Sequence, residues 1–263
     1  SGVTFTTFIP TMLQRTLRIL EDGPARDMSS LRRISYGSSP VPPGLARKAM
    51  DLLGCDLQQR YGLTECGGQA TILTPQDHRD MVNGKTSILT SCGQETPMVS
   101  IRIVDADGAE LPAGEIGEIV IESDANATGY WNRAEQTAEA FRPTGLWSGD
   151  LGFLDEERYL HITGRKTDMI ISGGFNVYPA EIESVLNDLP GVQESAIVGV
   201  PHPDFGEVGV AVVTPKPGAQ LDGDALVAAL KSQLANFKIP KRCFIEAELP
   251  RNTMGKVQKN LLR

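Results

Sequence analysis

The sequence predicts an α/β unit, then a β-rich stretch, and finally a small α+β unit. Strands and helices alternate in the first part, short strands joined by Asp-Gly-type turns follow Gly84, and the alternation of strands and helices resumes at Arg165. The predicted divisions are a larger domain at 1–164, made of an α/β part at 1–83 and a β-rich part at 84–164, and a smaller domain at 165–263.

The first part has the order helix, strand, helix, strand. Leucines recur at helical spacing after Pro10, which suits the first turn of a helix that runs to about Leu20. This order of elements predicts a parallel sheet. The next elements are a strand at "LRRISYG" (31–37), a helix at "PPGLARKAMDLL" (42–53) and a strand at "CDLQQRYG" (55–62).

The later parts follow two other patterns. The middle part is typical of an antiparallel barrel or sandwich layer, with strands at 99–105 and 117–123, a turn at 106–108, a helix at 134–141 and further β segments within 152–164. The last part is typical of a small α+β domain, with strands at 168–172, 194–201, 209–215 and 243–248 and helices at 179–188 and 224–235.

The composition of the chain restricts the classes of function. Of its 263 residues, 40% are hydrophobic and 22% are charged, which is enough apolar material to bury a sizeable core. The net charge of −8 disfavours a general nucleic-acid binder, because such proteins need a basic face to displace counterions from phosphates. A local basic patch stays open near the end of the chain, at Lys238, Lys241, Arg242, Arg251, Lys256, Lys259 and Arg263.

The sequence also bears on location. No apolar run approaches the roughly 20 residues of a membrane span, and no charged-then-apolar leader is present. The four cysteines and three histidines lack metal-site spacing, so we interpret the cysteines as reduced thiols and expect no zinc site. These features favour the cytoplasm, and oligomerisation stays open. Because the chain opens with "SGVTFTTFIP" and not with Met, we expect it to be part of a longer polypeptide.

Four glycine-rich stretches come at the ends of predicted strands. Ligands of parallel α/β sheets bind where the strands end, because a crevice opens at that edge. Each stretch alone can equally be an ordinary turn, so only their joint occurrence favours a ligand site. The stretches are "YGSSP" (36–40), "YGLTECGG" (61–68), "WSGD" (147–150) and "ISGGFNVYP" (171–179).

The stretch "YGLTE" combines an aromatic ring, a hydroxyl and a carboxylate directly after a predicted strand. Tyr61 can stack on a planar base, Thr64 can donate to a phosphate oxygen, and Glu65 can hold Mg²⁺, which prefers oxygen ligands. Asp150 in "WSGD" can accept hydrogen bonds from two ribose hydroxyls. The alternatives are a solvated Glu65 in a polar loop and a turn or cap role for Asp150.

Near the end of the chain, "PRNTMGK" (250–256) partly matches a phosphate-binding loop. That loop requires two glycines, the second followed by Lys and Ser/Thr, whereas here Pro250 replaces the first glycine and Val257 follows Lys256. From these residues alone, Lys256 is either a catalytic cation or an ordinary solvated lysine.

These motifs together resemble those of the acyl-adenylate-forming enzymes, which include acyl-CoA synthetases, nonribosomal adenylation domains and luciferases. The resemblance covers essentially the whole chain, and "GGFNVYPAEIE", "VGVPHPDFGE" and "LPRNTMGKVQKNLLR" look most like acyl-CoA synthetases, including bacterial fatty-acyl and malonyl-CoA ligases. It implies a large domain with a parallel α/β sheet and a β-barrel layer, followed by a small mobile lid domain. The motifs that carry it occur in the family's order: "YGLTE", "GD" at 149–150, "GRKTDMIISGGFNVYPAEIE" (164–183) and "PRNTMGK".

The resemblance implies an ATP-dependent carboxylate–CoA ligase. In such an enzyme a carboxylate attacks the α-phosphate of ATP and releases pyrophosphate, and the thiol of coenzyme A then displaces AMP from the acyl-AMP. The first step must neutralise charge on a phosphoryl group, which calls for metal and cationic donors. The implied partners and cofactors are a small-molecule carboxylic acid, ATP, Mg²⁺ and coenzyme A.

Carried over to this sequence, the family motifs assign residues to the adenylation step. Thr64 would contact phosphate, Glu65 would bind Mg²⁺, and Lys256 would reach the carboxylate and the α-phosphate, so these three are the expected catalytic residues. The other residues expected to bind ATP or AMP are Gly37, Ser38 and Ser39 on the adenine and acyl side, Tyr61 and Gly62 beside the adenine, and Asp150 and Arg165 at the ribose.

The resemblance assigns the thioester step to the smaller domain. The segment "SGGFN" (172–176) would move in for this step, and Gly173 and Gly174, followed by Phe175, would leave room for the pantetheine thiol. The hinge between the two domains would fall closest to Thr167, among Lys166, Thr167 and Asp168.

The acyl substrate and two alternatives stay open. The family's pyrophosphate loop would precede residue 1, so we expect the isolated chain to catalyse adenylation poorly. The local acid-site candidates at 36–40 and 66–69 are small and neutral, which favours an apolar acyl or aryl chain and leaves dicarboxylates open. The alternatives are an enzyme that loads a carrier protein and a non-catalytic domain of the same fold.

Overall fold

The computed structural model of the chain divides into two compact units, Ser1–Ile162 and Thr163–Arg263. The residues that the structure describes are 2–24, 26–37, 41, 43–85, 88, 90–252 and 255–263.

The first unit begins with a five-stranded sheet and three helices. Its strands are β1 (Phe5–Phe8), β2 (Arg33–Gly37), β3 (Asp56–Tyr61), β4 (Thr71–Leu73) and β5 (Gln94–Glu95), in that spatial order. The helices are α1 (Pro10–Asp22), α2 (Pro43–Leu53) and α3 (Pro75–Val82). Strands β1, β2 and β3 are parallel, which confirms the predicted parallel arrangement, whereas β4 and β5 add to the edge in antiparallel pairings.

Helices α1 and α2 cover the sheet with their apolar faces. Leu13 and Leu17 of α1 are fully buried, as their helical spacing requires, and they share a hydrophobic cluster with Ile34 of β2 and Leu57 of β3. Complete burial of one such side chain stabilises the fold by about 1.5–3 kcal/mol. This cluster supports the strand ends where the predicted ligand residues begin.

The rest of the first unit belongs to a second five-stranded sheet, whose last strand continues for three residues past the boundary at Ile162. Its strands are β6 (Val99–Val104), β7 (Gly117–Ser123), β8 (Phe141–Arg142), β9 (Gly145–Leu154) and β10 (Leu160–Arg165), and the short helix α4 (Ala134–Ala140) precedes β8. The pairs β6–β7, β7–β9 and β8–β9 are antiparallel, which confirms the predicted β-rich layer.

The second unit is a small α+β fold. Its strands are β11 (Ile170–Ser172), β12 (Phe175–Val177), β13 (Val192–His202), β14 (Gly206–Pro215) and β15 (Arg242–Ile245), and its helices are α5 (Pro179–Asp188) and α6 (Gly223–Leu230). Strand β14 is central in the sheet: it forms a long antiparallel hairpin with β13 and also pairs with β11 and β15. Ile182 of α5 and Leu230 of α6 are fully buried in its core.

Several predicted boundaries were wrong. Strand β1 and helix α3 are not among the predicted elements, and the predicted helix at 224–235 ends at Leu230, where the chain continues in turns. Strand β11 begins at Ile170, because Lys166–Asp168 form a 3₁₀ turn before it. Elements of four to eight residues give too few periods for a pattern to stand out.

Candidate functional site

The loop that follows β3 folds back on itself. The amide of Gly68 donates to the carbonyl of Leu63 at 2.8 Å, and the amide of Ala70 donates to the carbonyl of Tyr61 at 2.8 Å. A Cβ atom at Gly62 would lie 2.7 Å from backbone atoms of Gly68, so this close approach requires glycine. The sequence therefore builds a compact loop at the end of a buried strand.

A 3₁₀ turn, Thr64–Cys66, forms the outer part of this loop. The Cys66 thiol accepts a hydrogen bond from the Leu63 amide at 3.3 Å and donates to the Leu63 carbonyl at 3.2 Å. The buried Cys66 thus anchors the turn, while Thr64 is exposed and Glu65 is partly exposed. The hydroxyl and the carboxylate predicted to bind phosphate and Mg²⁺ both lie on this turn.

The hydroxyl of Tyr61 donates a hydrogen bond of 2.9 Å to Oδ2 of Asp150. Asp150 is only 6% exposed. Burial raises the pKa of Tyr61 far above its ordinary value, and the adjacent Asp150 carboxylate raises it further, so this phenol stays protonated and is the donor. Two residues that the sequence predicted to border the adenine and the ribose are therefore in direct contact.

The backbone around Asp150 is fixed by a neighbouring side chain. The Asp150 amide donates to Oγ of Ser148 at 3.1 Å, and that hydroxyl donates to the Ile119 carbonyl at 2.7 Å. Ser148 and Asp150 both belong to β9, and Ile119 belongs to the neighbouring strand β7. The carboxylate consequently projects from a hydrogen-bonded sheet and not from a mobile loop.

Glu65 has a partner that the sequence reading missed. The hydroxyl of Tyr130 donates to Oε1 of Glu65 at 2.8 Å, and the amide of Ala127 donates to the Glu65 carbonyl at 2.7 Å. Tyr130 follows Gly129 in "TGYW", a Gly-aromatic stretch between a strand and a helix. This local pattern could have indicated Tyr130 as a candidate site residue, although nothing in it indicates Glu65 as the partner.

Gly37 ends β2 beside the same part of β3. It pairs with Arg60, the residue before Tyr61, and a Cβ atom at Gly37 would lie 2.7 Å from the Arg60 carbonyl oxygen. Glycine is therefore required where the two strands end together. The other two predicted residues of this stretch, Ser38 and Ser39, lie outside the described residues.

Behind Gly37 lies a buried polar pair that the sequence reading also missed. The Tyr36 hydroxyl lies 2.8 Å from Nε2 of His78, and Nδ1 of His78 lies 2.8 Å from the Thr74 carbonyl oxygen. Because the carbonyl can only accept, Nδ1 carries the proton and Nε2 accepts from the phenol. Burial lowers the pKa of His78, which keeps the ring neutral.

In the second unit, the two predicted thioester glycines form a hairpin turn. Gly173 and Gly174 join β11 to β12 with φ angles of +59° and +85°, the left-handed values that a type I′ hairpin turn needs at both central positions. Phe175, directly after the turn, is 56% exposed and stacks on Phe237 with the ring centroids 4.6 Å apart. The turn and the aromatic ring thus present an accessible surface.

The predicted hinge residues form the 3₁₀ turn Lys166–Asp168, and Arg165 before it is exposed. Arg263 donates to the Thr167 carbonyl at 3.3 Å and lies 3.8 Å from the Asp168 carboxylate. The division between the two units falls a few residues earlier, between Ile162 and Thr163. A hinge at this turn stays a prediction.

Lys256, near the end of the chain, is held by hydrogen bonds to Asn252. Its amide donates to Oδ1 of Asn252 at 2.9 Å, its carbonyl accepts from the Asn252 amide at 2.9 Å, and Gly255 has a φ angle of +79°. The Arg251 side chain donates to the Gly255 carbonyl at 2.7 Å. This network fixes the backbone and leaves the Lys256 side chain exposed.

Among the described residues, no group of three or more His, Cys, Asp or Glu side chains is arranged to hold a metal ion. All four cysteines are free thiols. No helix in the described part of the chain is both long and apolar enough to cross a bilayer.

The first unit therefore brings together Tyr61 and Asp150 by a hydrogen bond, places Thr64 and Glu65 on the adjoining turn, and ends β2 at Gly37 beside them. Arg165, the turn at 173–175 and Lys256 belong to the second unit.

The chain matches two descriptions of one enzyme family. Residues 1–131 match the AMP-binding enzyme family, and residues 181–256 match the AMP-binding enzyme C-terminal domain. The chain is also 38% identical over 261 residues to a feruloyl-CoA synthase of Amycolatopsis sp, a match that covers 99% of the chain and 51% of that enzyme.

Two further relatives extend the comparison. The chain is 38% identical over 262 residues to a fatty acid–[acyl-carrier-protein] ligase of Streptomyces coeruleorubidus, covering 100% of the chain and 50% of the ligase. The crystal structure of ATP-bound MatB from Rhodopseudomonas palustris aligns with a TM-score of 0.86 at 40% identity, covering 99% of the chain and 50% of MatB. The chain spans about half the length of the curated relatives it matches.

Proposed function

Because the chain belongs to the AMP-binding family of acyl-adenylate-forming enzymes, we propose that the protein containing it is an ATP-dependent carboxylate–CoA ligase. The observation that carries this proposal is the loop after β3, where Tyr61 donates to Asp150 at 2.9 Å and the next turn presents Thr64 and Glu65. At the end of β3 the Tyr61 phenol contacts the buried Asp150 carboxylate of β9, and the adjoining turn carries a hydroxyl and a partly exposed carboxylate. These are groups that can bind a nucleotide.

The proposed reaction has two steps. An oxygen of the substrate carboxylate attacks the α-phosphorus of ATP, the bond to the β-phosphate breaks, and pyrophosphate leaves. The sulfur of coenzyme A then attacks the acyl carbon of the acyl-AMP, AMP leaves with the bonding electrons, and the thiol loses its proton. The first step gathers negative charge on the phosphoryl group, so positively charged groups and hydrogen-bond donors lower its barrier.

The residues of the first unit are proposed to bind the nucleotide. Tyr61 offers a ring face to the adenine, and its hydroxyl holds Asp150 so that the carboxylate can accept from the ribose hydroxyls. Gly62 and Gly37 keep the adjoining backbone free of side chains, because a Cβ atom at either position would clash at 2.7 Å. Thr64 is exposed and can donate to a phosphate oxygen.

Glu65 fits the requirement for a magnesium ligand. Mg²⁺ is bound by one or two carboxylates together with substrate phosphates and water, so one glutamate beside the nucleotide can supply the protein's share of the ligands. Glu65 is partly exposed and supplies the oxygen donors that this cation prefers. When bound, Mg²⁺ supplies positive charge that neutralises the phosphate oxygens.

The residues of the second unit are proposed to serve both steps. The ammonium of Lys256 supplies charge to the substrate carboxylate and the α-phosphate during adenylation, and Arg165 contributes to ribose binding. The glycine turn 173–174, with Phe175, serves the thioester step by admitting the pantetheine thiol, and the turn Lys166–Asp168 is the proposed hinge.

Carboxylic-acid-dependent pyrophosphate exchange tests the first step, measured on the natural protein that contains this chain with a panel of fatty, aryl and dicarboxylic acids. We expect exchange only when a cognate acid is present, followed by CoA-dependent formation of AMP and a thioester. Formation of ADP and phosphate in place of AMP and pyrophosphate would contradict the proposal. The small, neutral stretch 66–69 favours apolar acyl or aryl acids.

A second candidate acceptor is a carrier protein. It is favoured by the 38% identity to the fatty acid–[acyl-carrier-protein] ligase of Streptomyces coeruleorubidus. Both acceptors present the same phosphopantetheine thiol, so the chemistry of the second step is unchanged. A comparison of coenzyme A with a phosphopantetheinylated carrier as the acceptor separates the two. For either acceptor we propose a cytoplasmic location, in keeping with the four free cysteines.

A further inference from the structure

Tyr130 is attached to the first unit at its backbone and at its ring. Its amide donates to Oγ1 of Thr137 at 2.9 Å, and the same hydroxyl lies 3.4 Å from the Tyr130 carbonyl oxygen. The ring packs edge-on against Phe141 with the centroids 5.3 Å apart. Thr137 belongs to α4 and Phe141 to β8, so the base of this tyrosine is held by two elements of defined structure.

Gly129 allows this attachment. Its φ angle is +150°, and a Cβ atom there would lie 2.5 Å from Cγ2 of Thr137. A side chain at this position would push the segment away from α4 and shift Tyr130. The close approach of Thr137 therefore requires glycine at position 129.

From this base the phenol reaches Glu65, 65 residues earlier in the chain, with a hydrogen bond of 2.8 Å to Oε1. The amide of Ala127, three residues before Tyr130, donates to the Glu65 carbonyl at 2.7 Å. Both the backbone and the carboxylate of Glu65 are thus held by one short segment. The Ala127 contact fixes the backbone of Glu65, and the Tyr130 contact restricts the side-chain torsions of a glutamate that is otherwise partly exposed to solvent.

The hydrogen bond has little value as a stabilising contact. Tyr130 is 38% exposed and Glu65 is partly exposed, so water competes for both groups and the net gain in stability is small. Its value lies in geometry. A carboxylate has lone pairs on both oxygens. A donor that holds Oε1 therefore fixes the direction in which Oε2 points. In metal sites, hydrogen-bonded partners orient the ligating carboxylates in the same way.

We propose that Tyr130 is a positioning residue, which orients the Glu65 carboxylate so that its second oxygen can bind the Mg²⁺ that accompanies ATP. This inference rests on the proposed role of Glu65. It adds a residue from the segment before α4 to a site otherwise formed by the loop after β3.

The test uses the natural protein that contains this chain. Its affinity for Mn²⁺ is measured by electron paramagnetic resonance in the presence of α,β-methylene-ATP. Tyr130→Phe keeps the ring against Phe141 and removes only the hydroxyl. We expect it to weaken Mn²⁺ binding about tenfold, the usual effect of removing such a partner, and to raise the Mg²⁺ concentration needed for pyrophosphate exchange by a similar factor. Thioester formation from supplied acyl-AMP and the thermal unfolding midpoint should not change.

Tyr159→Phe is the matched control, because it removes a tyrosine hydrogen bond of the same length, 2.8 Å, to the Asp77 carboxylate in the same unit. It should leave Mn²⁺ affinity unchanged. If Tyr130→Phe binds Mn²⁺ as the parent does while Glu65→Gln does not bind it, the inference is wrong and the role of Glu65 stands. If Glu65→Gln also binds normally, both are wrong. An equal loss of both half-reactions in Tyr130→Phe, with a lower unfolding midpoint, indicates a structural role and also overturns the inference.

Discussion

The Tyr61 hydroxyl and the Asp150 carboxylate form a hydrogen bond of 2.9 Å between residues 89 positions apart in the chain. Tyr61 ends β3 of the first sheet, and Asp150 lies in β9 of the second. One contact thereby joins the two sheets of the first unit at the candidate nucleotide site. Because Asp150 is nearly buried, the phenol fixes which direction its carboxylate faces.

Tyr61→Phe keeps the ring and removes only this donor. If the phenol orients Asp150 toward the ribose, the variant should no longer bind nucleotides with ribose hydroxyls more tightly than nucleotides without them. We expect ATP to bind about fivefold to tenfold more weakly, the loss typical of one hydrogen bond, while 2′,3′-dideoxy-ATP is little affected. The measurement is the ratio of the two dissociation constants by calorimetry. An unchanged ratio would show that the Tyr61 hydroxyl does not act through the ribose.

Lys256→Ala should separate the two half-reactions. Its ammonium is proposed to act only where charge develops on the α-phosphate, so we expect pyrophosphate exchange to fall by roughly two to three orders of magnitude. Thioester formation from supplied acyl-AMP should be largely spared. Lys216→Ala is the control, since it removes the same charge from another exposed position of the second unit. Equal losses in both half-reactions would contradict the assignment.

Gly174→Val should give the opposite pattern. The Gly174 φ angle is +85°, so any other residue strains the backbone there. A Cβ atom at this position would have no neighbour within 4 Å, so the added side chain causes no local clash. We expect thioester formation to fall at least tenfold while pyrophosphate exchange changes less than threefold, the size of effect that blocking a close backbone approach produces in a positioned reaction. Both rates come from separate half-reaction assays.

Gly218→Val is the matched control for this substitution. Gly218 is also in the second unit, its φ angle is +80°, and its Cβ position is equally open. The two variants share the cost of a left-handed β-branched residue, about 1–2 kcal/mol. A loss of thioester formation of similar size in both would therefore reflect instability, and the proposed role of Gly174 would be withdrawn.

The sequence predicts local structure well where a pattern repeats several times. The leucines of α1 and the hydrophobic runs of β13 and β14 gave both the element and its type, because helical and strand periodicity depend only on near neighbours. Strand β1 has four residues and α3 has eight, and neither was predicted. The proline and the Thr74–Asp77 capping box at the start of α3 were signals present in the sequence.

The contacts of the candidate site do not follow from local sequence patterns. The motifs indicated Tyr61, Glu65 and Asp150 individually, but the partner of each hydroxyl or carboxylate is set by how strands pair and not by local pattern. Tyr130 meets Glu65 across 65 residues, and Tyr36 meets His78 across 42. Pairs of this kind appear only once the sheet order and register are known.

His78 should make the first unit sensitive to acid. Burial lowers its pKa from the ordinary value of 6.5, an effect only partly opposed by the Thr74 carbonyl and the Asp77 and Asp56 carboxylates. The unfolded chain therefore binds a proton as the pH falls through about 6.5, while the folded chain resists it. The free energy of unfolding that this histidine contributes above pH 6.5 is lost as the pH falls, by up to about 1.4 kcal/mol for each pH unit.

A substitution isolates this effect. His78→Gln keeps an acceptor for the Tyr36 hydroxyl and cannot titrate, so the free energy of unfolding by urea should fall less between pH 7.5 and 5.5 in the variant than in the parent protein. The difference should be largest below pH 6.5, where the unfolded histidine is charged. Since Tyr36 directly precedes Gly37, nucleotide binding should weaken in parallel in the parent. Identical pH profiles for the two proteins would show that another group governs the acid sensitivity.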